Sequence, residues 1–321
     1  MYETISKEAI KAKKKYKRVG FVISAISLNP LKMSKIKVLI QRFYLYFVIG
    51  LFSKKAKESK FEKVNMNGIR SWKITTPNSD PNKVLLYFHG GAYIAGSSRA
   101  YYPMVSYIAD VSKFTVYMPD YRLAPEYLYP TQLEDGVNAY KSLIEEFGYS
   151  HKQIAIGGDS AGGNLAFVTI FKLREEGIEL PKAIFSFSPW ADPAATGDTY
   201  TIEICEKDLL LGPVFKKTWT KYKADAYLTY YVPDEVMSEN DPYICPIKGS
   251  FKHFPPTLIH VGRDELLLSD SRSLKFGLDR DNVELEYKEW DNLWHVFQVE
   301  SLIPESQESF KLVSKFLNTN I

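Results

Sequence analysis

From residue 61 onward, apolar and polar positions fall into a regular rhythm. "FEKVNMNGIRSWKIT" carries two alternating segments around Asn67-Gly68, the pattern of a tight hairpin. "KVLLYF" (83–88) is a short continuous apolar run, as a strand buried on both faces requires. "FTVYMP" (114–119) repeats it, and "QIAIG" (153–157), "KAIFSFS" (182–188), "TLIHVG" (257–262) and "VELEYKEW" (283–290) follow. Helical periodicity fills the gaps, most clearly over 102–111, 132–147, 164–176, 269–278 and 305–317. This alternation predicts an α/β fold with eight strands, mostly parallel, the first two paired antiparallel and helices on both faces. The stretch from about Ala191 to Asn240 breaks the rhythm and reads as an insertion above the strand ends.

The head of the chain has a different character. Residues 1–60 hold 15 Lys/Arg against 3 Asp/Glu, a net +12, whereas the remainder nets −9 and the whole chain +3. A basic run, "KEAIKAKKKYKR", precedes "VGFVISAISL" and then "IKVLIQRFYLYFVIGLF". A signal-peptide core is one reading, but the apolar run is short and no A-x-A site follows. The second run is interrupted by Lys37 and Arg42 and falls short of the ~20 apolar residues of a membrane span. Two further readings stay open: a basic amphipathic helix lying on an anionic membrane, and a helix pair packed on the main body with its lysines in water. Cys205 and Cys245 are too few for a disulfide framework, and no metal-ligand spacing occurs, so a cytoplasmic setting without metal or organic cofactor is expected.

Chemistry concentrates at "AIGGDSAGGNLAF" (155–167). Gly158-Asp159-Ser160-Ala161-Gly162 fits G-x-S-x-G, after a predicted strand and opening a predicted helix. Small flanking residues permit a sharp turn that exposes the Ser160 hydroxyl and aims the Ala161 amide at the same space. A plain glycine-rich connection, or a phosphate site at a helix start, would share this pattern. Partners narrow the choice. In this sheet type the acid and then the histidine follow the nucleophile along the chain. His89 and His151 precede Ser160, His260 lies inside a strand, and His253 precedes every well-placed acid. His295, in "DNLWHVFQ" just beyond the last strand, remains. For the acid, "GRDELLLSDS" puts Asp264 at the end of the preceding strand. Its neighbour Glu265 is equally competent chemically, Asp270 falls on the next helix, and Asp291 is a loop acid; Asp264 is preferred. In "YFHGGAYIAGSS", adjacent glycines let backbone amides approach an oxyanion. Gly91 and Ala92, with Ala161, are the donor candidates, Gly90 shapes the loop, and His89 braces it.

"HGGAY", "DYRLAPEYLYPTQLED", "GGDSAGGNLA", "DPYICP", "GRDELLLSDS" and "WHVF" occur in this order over roughly residues 80–300. Together they resemble the hormone-sensitive-lipase-like branch of bacterial α/β-hydrolase esterases. The resemblance implies a Ser160–Asp264–His295 triad and an oxyanion hole built by the loop of Gly90, Gly91 and Ala92 with Ala161. Tyr93, Asp159 and Trp190 become candidates for the substrate pocket. It also implies a helical cap from residues 1–60 and 191–240 over a core of 61–190 and 241–321, with "FYLYFVIGLF" as pocket wall and core. Ala92 replaces the usual third glycine, which makes the loop geometry there an open question because alanine favours a negative φ. Arg122 and Glu126 are read as locking the loop after the fourth strand.

The expected activity is hydrolysis of carboxylic esters of short to medium acyl chain, with a small-molecule substrate and no nucleic-acid partner. Amide, N-acetyl or lactone hydrolysis, a membrane-surface lipase and a non-catalytic small-molecule receptor are the alternatives. Peripheral membrane contact through the basic head is compatible with all of these, and the oligomeric state is not readable.

Overall fold

The computed structural model describes residues 5–25, 34–51, 54–216, 231–236, 238 and 240–321. One eight-stranded sheet runs in the order β1-β2-β4-β3-β5-β6-β7-β8. The strands are β1 (Lys60–Met66), β2 (Ile69–Thr75), β3 (Asp80–Phe88), β4 (Phe114–Pro119), β5 (Ile154–Asp159), β6 (Ala183–Phe187), β7 (Thr257–Gly262) and β8 (Leu285–Trp290). The hairpin β1–β2 is antiparallel, as is the join of β2 to β4, and all remaining pairs are parallel. Asn67 and Gly68 turn the hairpin with φ of 49° and 84°, the left-handed values such a two-residue turn needs.

Continuous apolar strands bury both faces. In β3, Val84, Leu86 and Phe88 face one core with Ile154 and Ile156 of β5. Leu85 and Tyr87 face the other with Val116 and Phe185. The first core is closed by α4 (Thr131–Glu145) and α5 (Ala161–Glu175). The second is closed by α3 (Ser98–Ser112) and by the C-terminal helix, Pro304–Asn320. With period two and both faces covered, no polar alternation survives in the central strands, which is why they read as solid apolar blocks.

The N-terminal segment forms two helices, α1 (Lys7–Ala25) and α2 (Lys35–Leu51). Ala9, Ala12 and Tyr16 of α1 pack against Leu293, Trp294 and Phe297 in the loop after β8. Ser6 fixes the start of α1 through its amide and hydroxyl, which donate to Glu305 at 2.6 and 2.8 Å. On α2, Val38 and Ile49 are buried, but Phe43 is 70 % exposed and Tyr46 42 %. "FYLYFVIGLF" is therefore not uniformly pocket wall and core. Within the expected insertion, α6 (Ile202–Lys207) is described, whereas 217–230, 237 and 239 lie outside the described residues. After it comes α7 (Leu268–Arg280), then β8 and the C-terminal helix, α8.

Candidate active site

At the end of β5 the chain reverses sharply into α5. Ser160 occupies the apex with φ 52° and ψ −120°, a conformation that L-residues adopt only when their surroundings over-determine it. The surroundings do so by close approach. A Cβ on Gly158 would lie 2.3 Å from the Gly162 carbonyl oxygen, and one on Gly162 would lie 2.0 Å from that of Phe88. Backbone bonds hold the apex as well: the Ser160 amide donates to Phe187 O, and the Trp190 amide to Ser160 O.

The loop after β8 returns over this apex. The Ser160 hydroxyl lies 3.0 Å from His295 Nε2. On the far side of the ring, Nδ1 meets Glu265 Oε1 at 3.2 Å. Three residues 135 and 30 positions apart along the chain thus form one relay. Glu265 is fully buried. Its second oxygen accepts from the Gly262 amide and from the Ser188 hydroxyl, each at 2.8 Å. Ser188 in turn accepts from the Val296 amide at 3.2 Å, so one hydroxyl links the acid to the loop that carries the imidazole.

Asp264, the preferred acid from sequence, faces elsewhere. Its carboxylate pairs with Lys13 of α1 at 2.7 Å and is one-fifth exposed. The cause is the turn after β7. The Asp264 amide donates to Leu293 O, and in this bend beyond β7 the two adjacent carboxylates leave in different directions, one to Lys13 and one to His295. Residue 264 then points out toward α1 and residue 265 inward, where the extra methylene of glutamate reaches the ring. The only sequence cue was that Glu265 directly precedes Leu266-Leu267-Leu268, a run that the structure buries.

Burial works against a charge on His295, yet Glu265, Asp208 and Asp159 outweigh it and hold the imidazole above its ordinary value of 6.5. Asp208 is a second acid that sequence reasoning missed. It follows α6 directly, is 1 % exposed, and accepts from the amides of Leu266, Leu210 and Leu211 at 3.0 to 3.1 Å. Burial raises it to about 6, against the pull of His295. It ties the segment after α6 to the residue next to Glu265.

The loop after β3 lies beside the apex. The Gly90 amide is committed to Asp159 Oδ1 at 3.1 Å, so Gly90 is not a free donor. Among the described residues no partner takes the amides of Gly91, Ala92 or Ala161. Ala92 and the following Tyr93 both have positive φ, 53° and 61°, so alanine tolerates here the left-handed backbone that a third glycine would occupy without strain. His89 Nδ1 bonds Gly90 O at 2.8 Å and burial lowers its pKa, so the ring braces the loop in neutral form.

The pocket candidates separate on burial. Asp159 is fully buried and accepts from Tyr87 Oη and the Gly90 amide, with burial raising it to about 7. It is a brace beneath the loop and not a pocket wall. Tyr93 donates to Asn164 Oδ1 at 2.7 Å and packs its ring against Tyr231 and Trp190. Tyr93 and Trp190 are 1 % and 5 % exposed, an aromatic floor with little open surface. The loop after β4 is locked through Arg122 and Glu126, as expected: Arg122 donates two hydrogen bonds to Asp135, and Glu126 accepts two from Arg42 of α2. His260 lies in β7, bonded to Ser309 and lowered to about 3 by burial, a core histidine.

A serine, an imidazole and a buried carboxylate above the strand ends of such a sheet define the α/β class of nucleophilic hydrolases. The chain belongs to the alpha/beta hydrolase fold family, whose profile matches residues 85–299. An acetyl-hydrolase of Streptomyces hygroscopicus is 30% identical over 244 residues, covering 76% of this chain and 78% of that protein. An esterase of the bacterial hormone-sensitive lipase family superposes with a TM-score of 0.82 at 30% identity, over 96% of this chain and 98% of that one. The esterase EstE5, in crystals soaked with p-nitrophenyl butyrate, gives 0.84 at 29% identity over 98% and 99%.

Proposed function

We propose that this protein hydrolyses carboxylic esters through an acyl-enzyme on Ser160. The observation that carries the proposal is the continuous Ser160–His295–Glu265 relay, at 3.0 and 3.2 Å. His295 Nε2 takes the hydroxyl proton as Oγ attacks the ester carbonyl, then returns it to the leaving alcohol oxygen. A water molecule deprotonated by the same nitrogen cleaves the acyl-enzyme and restores Ser160. Glu265 keeps the Nδ1 proton in place and stabilises the imidazolium that forms at each attack. Gly91, Ala92 and Ala161 supply amides to the developing oxyanion, a type of contact worth ~10²–10³ in rate for each donor.

The acyl range we infer is short to medium. Support comes from the acetyl-hydrolase relative and from the p-nitrophenyl butyrate used with EstE5. Residues 1–60 and 191–240 act as the cap in this reading. Turnover of p-nitrophenyl esters of increasing chain length tests it, with wild type and Ser160→Ala. Activity peaking on acetate to hexanoate and lost in the variant is expected. No turnover of any ester by wild type would favour a receptor, and activity retained in the variant would remove Ser160 from the mechanism. A second element of the proposal is peripheral membrane contact by the basic head, favoured by the exposed apolar side chains of α2.

A further inference from the structure

Helix α2 is apolar on two sides. Val38 and Ile49 are buried toward the body. On the opposite side Ile36, Leu39, Ile40, Phe43 and Tyr46 are 70, 67, 48, 70 and 42 % exposed. Their spacing of three and four residues, with Tyr46 three beyond Phe43, places them in one stripe along the helix. These are five of the twelve large apolar side chains exposed among the described residues, gathered on less than three turns. Such clustering marks a contact surface, whereas scattered exposed residues do not.

Charge identifies the occupant. Lys37 on α2 and Lys54, Lys55 and Lys57 just after it are exposed. Residues 1–60 net +12 against −9 for the remainder. Near an anionic surface that asymmetry attracts the head and repels the body, so the molecule lands head first. Among the described residues no helix is long and apolar enough to cross a membrane, so the stripe suits a helix lying in the interface.

We propose that the Ile36–Leu39–Ile40–Phe43–Tyr46 face of α2 docks this protein on an anionic phospholipid surface. This rests on the peripheral-contact reading given with the esterase proposal and specifies its face and its lipid. The placement has a use. Arg42 of α2 donates to Ile94 O at 2.7 Å, to Ala124 O at 3.0 Å and to both oxygens of Glu126. Ile94 lies two residues beyond Ala92, so the docked helix rests on the loop of the proposed oxyanion donors. A lipid-dissolved ester thereby meets the catalytic apex from the nearby bilayer.

Co-sedimentation with vesicles tests the proposal, using the full chain carrying Ser160→Ala so that lipid turnover plays no part. Vesicles of phosphatidylcholine alone are compared with vesicles containing one-third phosphatidylglycerol. About tenfold stronger partition onto the anionic vesicles is expected, with loss of about tenfold in the Ile36→Ser/Leu39→Ser/Phe43→Ser variant. The same triple substitution in the Ser160 protein should keep p-nitrophenyl acetate turnover within about twofold, which shows that the fold is intact. Equal partition of parent and triple variant overturns the proposal, as does no partition by the parent. A parent dimer that the triple substitution converts to monomer assigns the face to a second copy and also overturns it. Ester turnover is scored separately, so failure to bind vesicles leaves the hydrolase reading standing.

Discussion

Two turns leave the sheet to build the site, one after β5 and one after β7, and they contrast sharply. The first is defined by sterics. Gly158 and Gly162 admit no side chain, and the backbone at Ser160 is forced positive. The second is defined by hydrogen bonds from distant parts of the chain: Leu293 O to the Asp264 amide, Asp208 to the Leu266 amide, and Ser188 to Glu265. A turn pressed this closely by its backbone neighbours leaves little choice of residue at its flanks. A turn made by long-range bonds chooses between two adjacent carboxylates, and the chosen one is known only once the chain has folded.

Substitutions sharpen this contrast. Ser160→Ala should have the largest effect, a fall of about 10⁴–10⁶ in kcat with the fold intact by circular dichroism. Glu265→Gln should follow, lowering kcat by about 10²–10⁴ because the ring loses its orienting anion. If Asp264→Asn produced the same loss, the assignment of the inward carboxylate would fail. Asp208→Asn should cost about tenfold in kcat, since it loosens the acid turn without touching the ring.

The pH profile follows from the sign of the His295 shift. The base must be neutral, and Glu265, Asp208 and Asp159 hold the imidazolium to higher pH, against the opposing effect of burial. Activity should therefore rise with pH along an acid limb lying above 6.5. In residual-activity measurements on Glu265→Gln that limb should move to lower pH, because the strongest raising interaction is gone; an unmoved limb would detach it from His295. The smallest effect is expected for Asp264→Asn, within about threefold in kcat/KM, because it breaks only the partly exposed pair with Lys13.

Most of the architecture was legible because buried strands are unbroken apolar runs and the helices between them are amphipathic. Ser160 and His295 were legible because a strand–turn–helix motif and chain order leave few candidates. Three features were not legible, for a common reason. The choice of Glu265 over Asp264 depends on the direction in which a turn presents two neighbours. Asp208 sits in a segment without periodicity and acquires its role from the amide of Leu266. Arg122 and Glu126 find Asp135 and Arg42, partners fixed by packing and not by adjacency. The exposed stripe of α2 belongs with these: an apolar helix reads identically whether its second face meets protein or not.

Ser188 carries a final consequence. Because a single hydroxyl grips both the carboxylate of residue 265 and the backbone just past the imidazole, acid and base are geared together. Thermal drift of the loop after β8 must drag the carboxylate along, so the orientation of the ring survives excursions that would separate two independently mounted groups. The nucleophile's bend shares that mounting, because the Ser160 amide donates to the carbonyl of Phe187, the residue joined to Ser188.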